Sequence, residues 1–202
     1  MNEADYLRLP PALEAIEAET NATGFAMGSE RRTGALLRML AASKRGKRGN
    51  RGGRLLELGT GTGISAAWLL DGMDAEASLT TVDNDAACVE IAKRHLGSDP
   101  RIAFHVADGA EFLAGLREQQ FDLIFADAWP GKFQALDQAL ALLAPGGFYV
   151  IDDLLPQANW PAGHAPKVPR LMQTLSERDD LMICPLAWSS GLLVAVKTSR
   201  SS

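Results

Sequence analysis

Apolar and polar positions recur along the chain in two periods, and the change from one to the other marks its elements. In PPALEAIEAET (10–20) Leu13 and Ile16 stand three apart with acids between them; in ERRTGALLRMLAAS (30–43) Leu36, Leu37 and Leu40 share one face. Both patterns predict helices. From Arg54 onward short apolar runs alternate with helical spacing: RLLEL then GISAAWLLDGM, SLTTVD then DAACVEIAKRHL, RIAFHVA then GAEFLAGLREQ, FDLIFAD then KFQALDQALALLA, and finally GFYVIDD. Strands alternating with helices predict a parallel, doubly wound α/β sheet covered on both faces. The tail breaks the rhythm. DLMICPLAW and GLLVAVK both read as strands and are separated by only Ser189 and Ser190, a link that permits only an antiparallel pair. Residues 152–168 carry Pro156, Pro161 and Pro166, which exclude a continuous helix and predict a long functional loop or lid.

A length of 202 residues, 47% of them hydrophobic, suits one domain spanning 1–202: an N-terminal helical cap and basic loop (1–53), then the core (54–202). No apolar run approaches the roughly eighteen residues of a membrane span, and the acid-bearing start MNEADYLRLPP is unlike a secretory leader. A cytoplasmic protein without membrane contact is expected. The net charge of -5 argues against a nucleic-acid-coated surface. SKRGKRGNRGGR (43–54) is locally basic, but its interleaved glycines and lack of aromatics read as a solvated loop; an RNA or protein substrate would be the alternative. Cys88 and Cys184 have no metal-ligand spacing and are expected as buried free thiols.

The stretch LLELGTGTGIS (55–65) joins the first predicted strand of the core to the next helix, the turn at which open parallel sheets bind ligands. Its glycines are Gly59, Gly61 and Gly63, and a dinucleotide fingerprint would need another where Ile64 stands. Glu57 would repel a diphosphate but suits a ligand with a cationic centre and an ammonium group.

Together with TTVDNDAACVEIAKRHL, HVADGAEFL, FDLIFADAWPGKF and LLAPGGFYVIDDLL, this stretch resembles the class I S-adenosylmethionine-dependent methyltransferases, and among them the catechol or caffeoyl-coenzyme A type O-methyltransferases. The resemblance covers roughly residues 24–197 and implies a seven-stranded Rossmann-like sheet, mostly parallel with an antiparallel C-terminal strand. It also implies that Glu57, Gly59, Thr60, Gly61 and Gly63 surround the methionine part of the cofactor. Asp83 would accept from the ribose hydroxyls, with Asn84 shaping the adenosine pocket, and Asp108, Gly109 and Ala110 would lie at the adenine edge. Met27 and Ser29 would belong to a segment closing over cofactor and acceptor. The same residues have plainer uses: Glu57 and Asp83 as acids at strand ends, and Asp108 as a helix N-cap, a role compatible with ligand contact.

Methyl transfer to a hydroxyl requires alignment and removal of a proton, which a divalent ion such as magnesium assists by acidifying a coordinated hydroxyl. The expected metal ligands are Asp127, Asp152 and Asp153, although Asp153 stands where the metal-dependent relatives carry asparagine. Their catalytic lysine position is Pro130 here. Lys132, two residues on, either reaches the same space or is a solvated charge, and it is the candidate base beside Asp127. His164 reads as a surface-loop histidine with base or acceptor contact as its alternative. Trp129 and Trp160 fall in predicted loops and suit a flat acceptor, as does Trp188. The expected activity is O-methylation of a small, aromatic hydroxyl acceptor. The rivals are a nicotinamide-dependent oxidoreductase and a non-catalytic cofactor-binding module. The N-terminal helices suggest either a homodimer contact or a lid.

Overall fold

A computed structural model describes residues 7–44, 52–116 and 119–198. Arg45, Lys47 and Arg48 of the basic stretch lie outside them. Helices α1 (Leu13–Thr23) and α2 (Arg31–Ser43) precede a sheet whose strands are β1 (Arg54–Leu58), β2 (Ser78–Asp83), β3 (Ile102–Val106), β4 (Phe121–Ala126), β5 (Leu143–Ile151), β6 (Leu181–Leu186) and β7 (Leu192–Lys197). The intervening helices are α3 (Ile64–Gly72), α4 (Ala86–Leu96), α5 (Gly109–Gly115), α6 (Leu136–Ala141) and α7 (Lys167–Ser176).

The strand order is β3-β2-β1-β4-β5-β7-β6, with β7 antiparallel to both neighbours and the other pairs parallel. The expected seven-stranded sheet is therefore present. Its central strands bury apolar side chains on both faces, such as Leu55 and Leu56 in β1 and Leu123 and Ile124 in β4, because both faces are covered. Leu55, Leu123, Phe125 and Val150 point into one core with α1, α2 and α3. Leu56, Ile124, Ala126, Tyr149 and Ile151 point into the other, shared with Leu113 of α5, Leu140 of α6 and Leu171 of α7. The alternation has the period of a strand.

The N-terminal helices are built into the first core. Gly34 of α2 lies so close to Trp68 of α3 that a Cβ there would come within 2.2 Å of the indole. Leu13, Ile16 and Leu37 are fully buried in the same cluster.

Two local expectations need correction, and one helix, α7, was not anticipated. The helix expected over 132–144 is reduced to α6; Leu143 already pairs with Phe121 in the sheet, and Gly146 and Gly147 lie in the bulge before Phe148 pairs with Leu123. Leu142, Leu143 and Ala144 are buried as either helix or strand, so their apolarity did not discriminate. Helix α7 follows a proline-rich loop and contains Pro169 in its first turn, where the missing N–H breaks no intrahelical bond. Cys88 is buried as expected, but Cys184 is exposed, sharing the outward face of edge strand β6 with Met182. Among the described residues no helix is long and apolar enough to cross a membrane.

Candidate active site

The chain runs outward from β1 to β3 and returns to β4 on the other side of β1, so the strand order reverses between β1 and β4. A crevice opens beyond the carboxyl ends of strands at such a point. Here it is a cavity of about 510 Å³, within the usual range for a small-molecule site. Its walls come from the ends of β1 (Gly59, Thr60, Gly61), β2 (Asp83, Asn84), β3 (Asp108, Gly109), β4 (Asp127, Trp129) and β5 (Asp153), with Met27 and Ser29 from the segment between α1 and α2.

At the glycine turn the backbone comes close to β4. Gly59 has φ 105°, and a Cβ on it would lie 3.0 Å from the Asp127 carbonyl. Only glycine fits both the left-handed backbone and the gap. The Gly61 N–H donates to Asp83 Oδ2 at 2.8 Å and the Asp85 N–H to Oδ1 at 2.9 Å. Each oxygen of Asp83 thus holds one backbone donor and retains accepting capacity toward the cavity. Asp108 caps α5, its Oδ1 accepting from Ala110 N (2.8 Å) and Glu111 N (3.0 Å), while it also lines the cavity. Ala110 is not on the wall.

Glu57 is a correction. Its side chain is fully buried beneath the glycine turn, not on the cavity wall, and accepts from Thr81 Oγ1 at 2.6 Å; Thr60 Oγ1 lies 2.6 Å from the same hydroxyl. Burial raises its carboxyl to about 7, against the Ser65 and Thr81 hydroxyls that lower it. Among the described residues its Oε1 has no hydrogen-bond partner.

The other end of the cavity is aromatic and charged. Lys132 is 2% exposed and so not a solvated charge. Gly131, with φ 81°, carries the chain around the turn before it, and Tyr149 Oη fastens that turn by donating to the Gly131 carbonyl at 2.5 Å. Lys132 Nζ lies 3.9 Å from Asp153 Oδ2. His164 is also 2% exposed, because the loop 152–166 folds inward and stacks it on Trp160 (centroids 4.4 Å apart) with Phe133 edge-on at 4.9 Å. Reading it as a surface residue missed this packing. His164 Nε2 lies 3.0 Å from the Asp153 carbonyl, which can only accept, so Nε2 carries the proton and Nδ1 is the accepting nitrogen. Desolvation lowers its pKa and favours the neutral ring.

Asp127, Asp152 and Asp153 reach one rim, each with its own partner. Asp127 Oδ2 accepts from Ser29 Oγ at 2.8 Å. Asp152 is buried and turned into the fold, where its Oδ1 accepts from Ser190 Oγ and from the Asp153 N–H. Asp153 adopts φ 61°, which sends its carboxylate to Lys132. Desolvation and the Asp152 charge push Asp127 up; desolvation and the Asp153 charge do the same to Asp152. Among the described residues no group of three or more His, Cys, Asp or Glu is arranged to hold a metal ion. The expected three-acid magnesium site does not fit these side chains. A side chamber of about 50 Å³ beside the same acids is lined also by Asn159, Trp160 and Ser190. Ser190 is a site residue that sequence reasoning missed; its proximity to Asp152 arises only from the pairing of β5 with β7.

Residues 56–154 match a family described as a methyltransferase domain. Over 174 residues the chain is 30% identical to a Mycobacterium avium protein named as an O-methyltransferase, with 81% of this chain and 76% of that protein aligned. A protein of the same name from Mycobacterium marinum is 31% identical over 174 residues, covering 81% and 75%. Among solved structures, the O-methyltransferase TomG of Streptomyces achromogenes, involved in tomaymycin synthesis and crystallised with S-adenosylmethionine, superposes with a TM-score of 0.81 at 23% identity over 96% of this chain and 92% of that one. An O-methyltransferase of Bacillus cereus in complex with S-adenosylhomocysteine gives a TM-score of 0.77 at 20% identity over 93% and 90%. The latter two similarities speak for the fold. The chain belongs to the class I S-adenosylmethionine-dependent methyltransferases. Within that class it is an O-methyltransferase, which sets aside the nicotinamide oxidoreductase reading.

Proposed function

We propose that the protein methylates a hydroxyl of a small, flat acceptor. The observation that carries this reading is the two-ended cavity: polar acceptors and backbone amides at the β1 and β2 ends, indole, imidazole and ammonium at the other. The first end fits the cofactor. Asp83 retains accepting capacity for two ribose hydroxyls, Asn84, Asp108 and Gly109 border the adenosine space, and Gly59, Thr60 and Gly61 form the turn around the methionine part; Gly63 is off the cavity wall, packed against Ala92 and Leu96 of α4. Met27 and Ser29 cover it. Glu57 holds the turn from beneath through Thr81 and Thr60.

When bound, S-adenosylmethionine supplies a methyl carbon on a sulfonium: the acceptor oxygen forms the new C–O bond as the C–S bond breaks, leaving S-adenosylhomocysteine. This chain's residues align the acceptor, exclude water and move its proton. Trp129 gives a flat wall, and the Trp160 and His164 stack closes the loop over it. The acceptor proton passes to Nδ1 of His164, the accepting nitrogen of a ring whose other nitrogen is engaged by a carbonyl. Lys132, its Nζ 3.9 Å from Asp153 Oδ2, steadies the oxygen as negative charge develops. Asp127, tied to Ser29, borders both halves of the cavity.

Calorimetric titration of cofactor-stripped protein with S-adenosylhomocysteine, followed by labelled methyl transfer to panels of phenols, catechols and amines, tests this reading. Binding is expected, weakened about 100-fold in a folded Asp83→Ala variant that loses two hydrogen bonds to charge, with methyl appearing on hydroxyls. A folded protein that does not bind, or that methylates only amines, overturns it.

A further inference from the structure

Hydroxyl groups connect the buried Glu57 carboxyl to the cavity. Its Oε2 accepts from Thr81 Oγ1, and Thr60 Oγ1 stands 2.6 Å from that hydroxyl. Thr60 lines the cavity, and so does Ser65, whose hydroxyl also acts on the carboxyl. The amides of the turn are spent elsewhere: those of Gly59 and Thr60 donate to the Val82 carbonyl, that of Gly61 to Asp83 and that of Gly63 to the Thr60 carbonyl. Among the described residues Oε1 is left without a partner. The charges around the carboxyl are of one sign. Asp83, at the end of β2, acts on Glu57 as a like charge; β4 presents Phe125 in register, with Asp127 two residues on; the first turn of α3 carries neither acid nor base. Among the described residues lining the cavity Lys132 is the only lysine or arginine, and it stands at the other end. The turn thus has two acids and no cation of its own. Ionising a buried carboxyl there is costly, and a cation placed above the turn favours it.

We propose that Glu57 is a positioning residue that gives up a proton as the cofactor binds: neutral in the empty enzyme, it becomes a carboxylate beneath the ammonium and sulfonium of S-adenosylmethionine. This role rests on the cofactor reading above. The carboxyl O–H bond breaks, its electron pair stays on Glu57, and water or buffer takes the proton. The charge on Glu57 also sets the hydroxyls. Thr81 then donates to the carboxylate and Thr60 to Thr81, which leaves the Thr60 oxygen with accepting lone pairs for a cationic ligand; a carboxyl that donated to Thr81 would reverse the chain. Because the proton is held by the empty enzyme and lost in the complex, affinity should rise with pH as the empty enzyme releases it through about 7, and level above.

The experiment is calorimetric titration of cofactor-stripped full-length protein with S-adenosylmethionine and with S-adenosylhomocysteine at pH 6, 7 and 8. Each titration is run in phosphate and in imidazole, whose different heats of ionisation count the protons released. Wild type is compared with Glu57→Gln, and the difference removes Asp127 and His164, which line the same cavity in both proteins. With S-adenosylmethionine wild type should release about one more proton than the variant at pH 6, about half a proton at pH 7 and almost none at pH 8, and its affinity should gain about tenfold on the variant between pH 6 and 8. Release should be smaller with S-adenosylhomocysteine, which lacks the sulfonium charge. If Glu57→Gln does not fold, Thr81→Val carries the test: it keeps the acid but removes a hydroxyl that lowers its pKa, so release at pH 8 should exceed that of wild type. Equal proton release by wild type and folded Glu57→Gln, with affinity reduced by the same factor at every pH, marks a purely structural role and overturns the proposal. So does a Thr81→Val protein that matches wild type at pH 8. Failure of folded wild type to bind either ligand overturns the cofactor reading together with the proposal, whereas binding with equal release overturns the proposal alone.

Discussion

Glu57→Gln separates the electrostatic cost of a buried acid from its structural service to the glycine turn. The folded carboxyl sits near 7, whereas an unburied glutamate has 4.5. The first cause is desolvation: the residue is fully buried, and among the described residues Oε1 lacks a partner. Because the folded-state value is raised, the native protein holds this proton through a window in which the unfolded chain has released it. The associated stability is fully present below about pH 4.5, is lost as pH rises, and is gone above about 7, at about 1.4 kcal/mol per pH unit and about 3 kcal/mol in all. Glutamine has no proton to lose, and its carbonyl still accepts from Thr81. Urea unfolding of both proteins at pH 5, 6, 7 and 8 should therefore show the variant gaining on wild type by about 1.4 kcal/mol per unit up to pH 7, then levelling. Asp127 and Asp152 titrate in both proteins and cancel in the difference. A difference independent of pH, or one favouring wild type as pH rises, would refute the account of Glu57 as an acid held protonated by burial.

Other substitutions test other parts of the fold. Gly34→Ala drives a methyl against the buried indole of Trp68; it should cost about 1–3 kcal/mol as overpacking and lower Tm by roughly 2–4 °C for each kcal/mol in a scanning melt. Ser29→Ala removes the donor to Asp127 Oδ2 and should cost about 1 kcal/mol of stability, with weaker S-adenosylhomocysteine binding by calorimetry; unchanged binding would detach the segment from the cofactor. Asp108→Ala removes the cap of α5 and should cost about 1 kcal/mol in chemical unfolding. If Asp108 serves only as a cap, cofactor affinity will not move with it.

The parts of this fold legible in sequence are those where burial on both faces left one reading. The runs at β1, β4 and β5 have side chains in both cores, and the two-residue link before Gly191 fixed the direction of β7. The glycine turn was legible because Gly59 and its neighbours satisfy a backbone requirement written in one short stretch. What escaped depends on groups far apart in the chain. His164 was read as exposed because nothing local shows that Trp160 and Phe133 would enclose it. The acids at 127, 152 and 153 were read as convergent from strand ends, and they do border one chamber, but nothing local shows that Ser29, Ser190 and Lys132 would each take one of them as partner.

The contacts that roof the cavity span unusually long stretches of chain. Ser29 meets Asp127 across 98 residues, and the Asn159 side chain donates to the Ala26 carbonyl across 133. Closing loops of that size brings no reward until the sheet between them exists, so these contacts belong to the last stage of folding and the first stage of opening. The roof is consequently a kinetic element as well as a wall. Hydrogen exchange should find residues 25–30 and 153–164 protected late in refolding and released early in mild urea, while β1 and β4 remain closed. A ligand leaving the cavity need wait only for that shallow opening, not for any motion of the sheet.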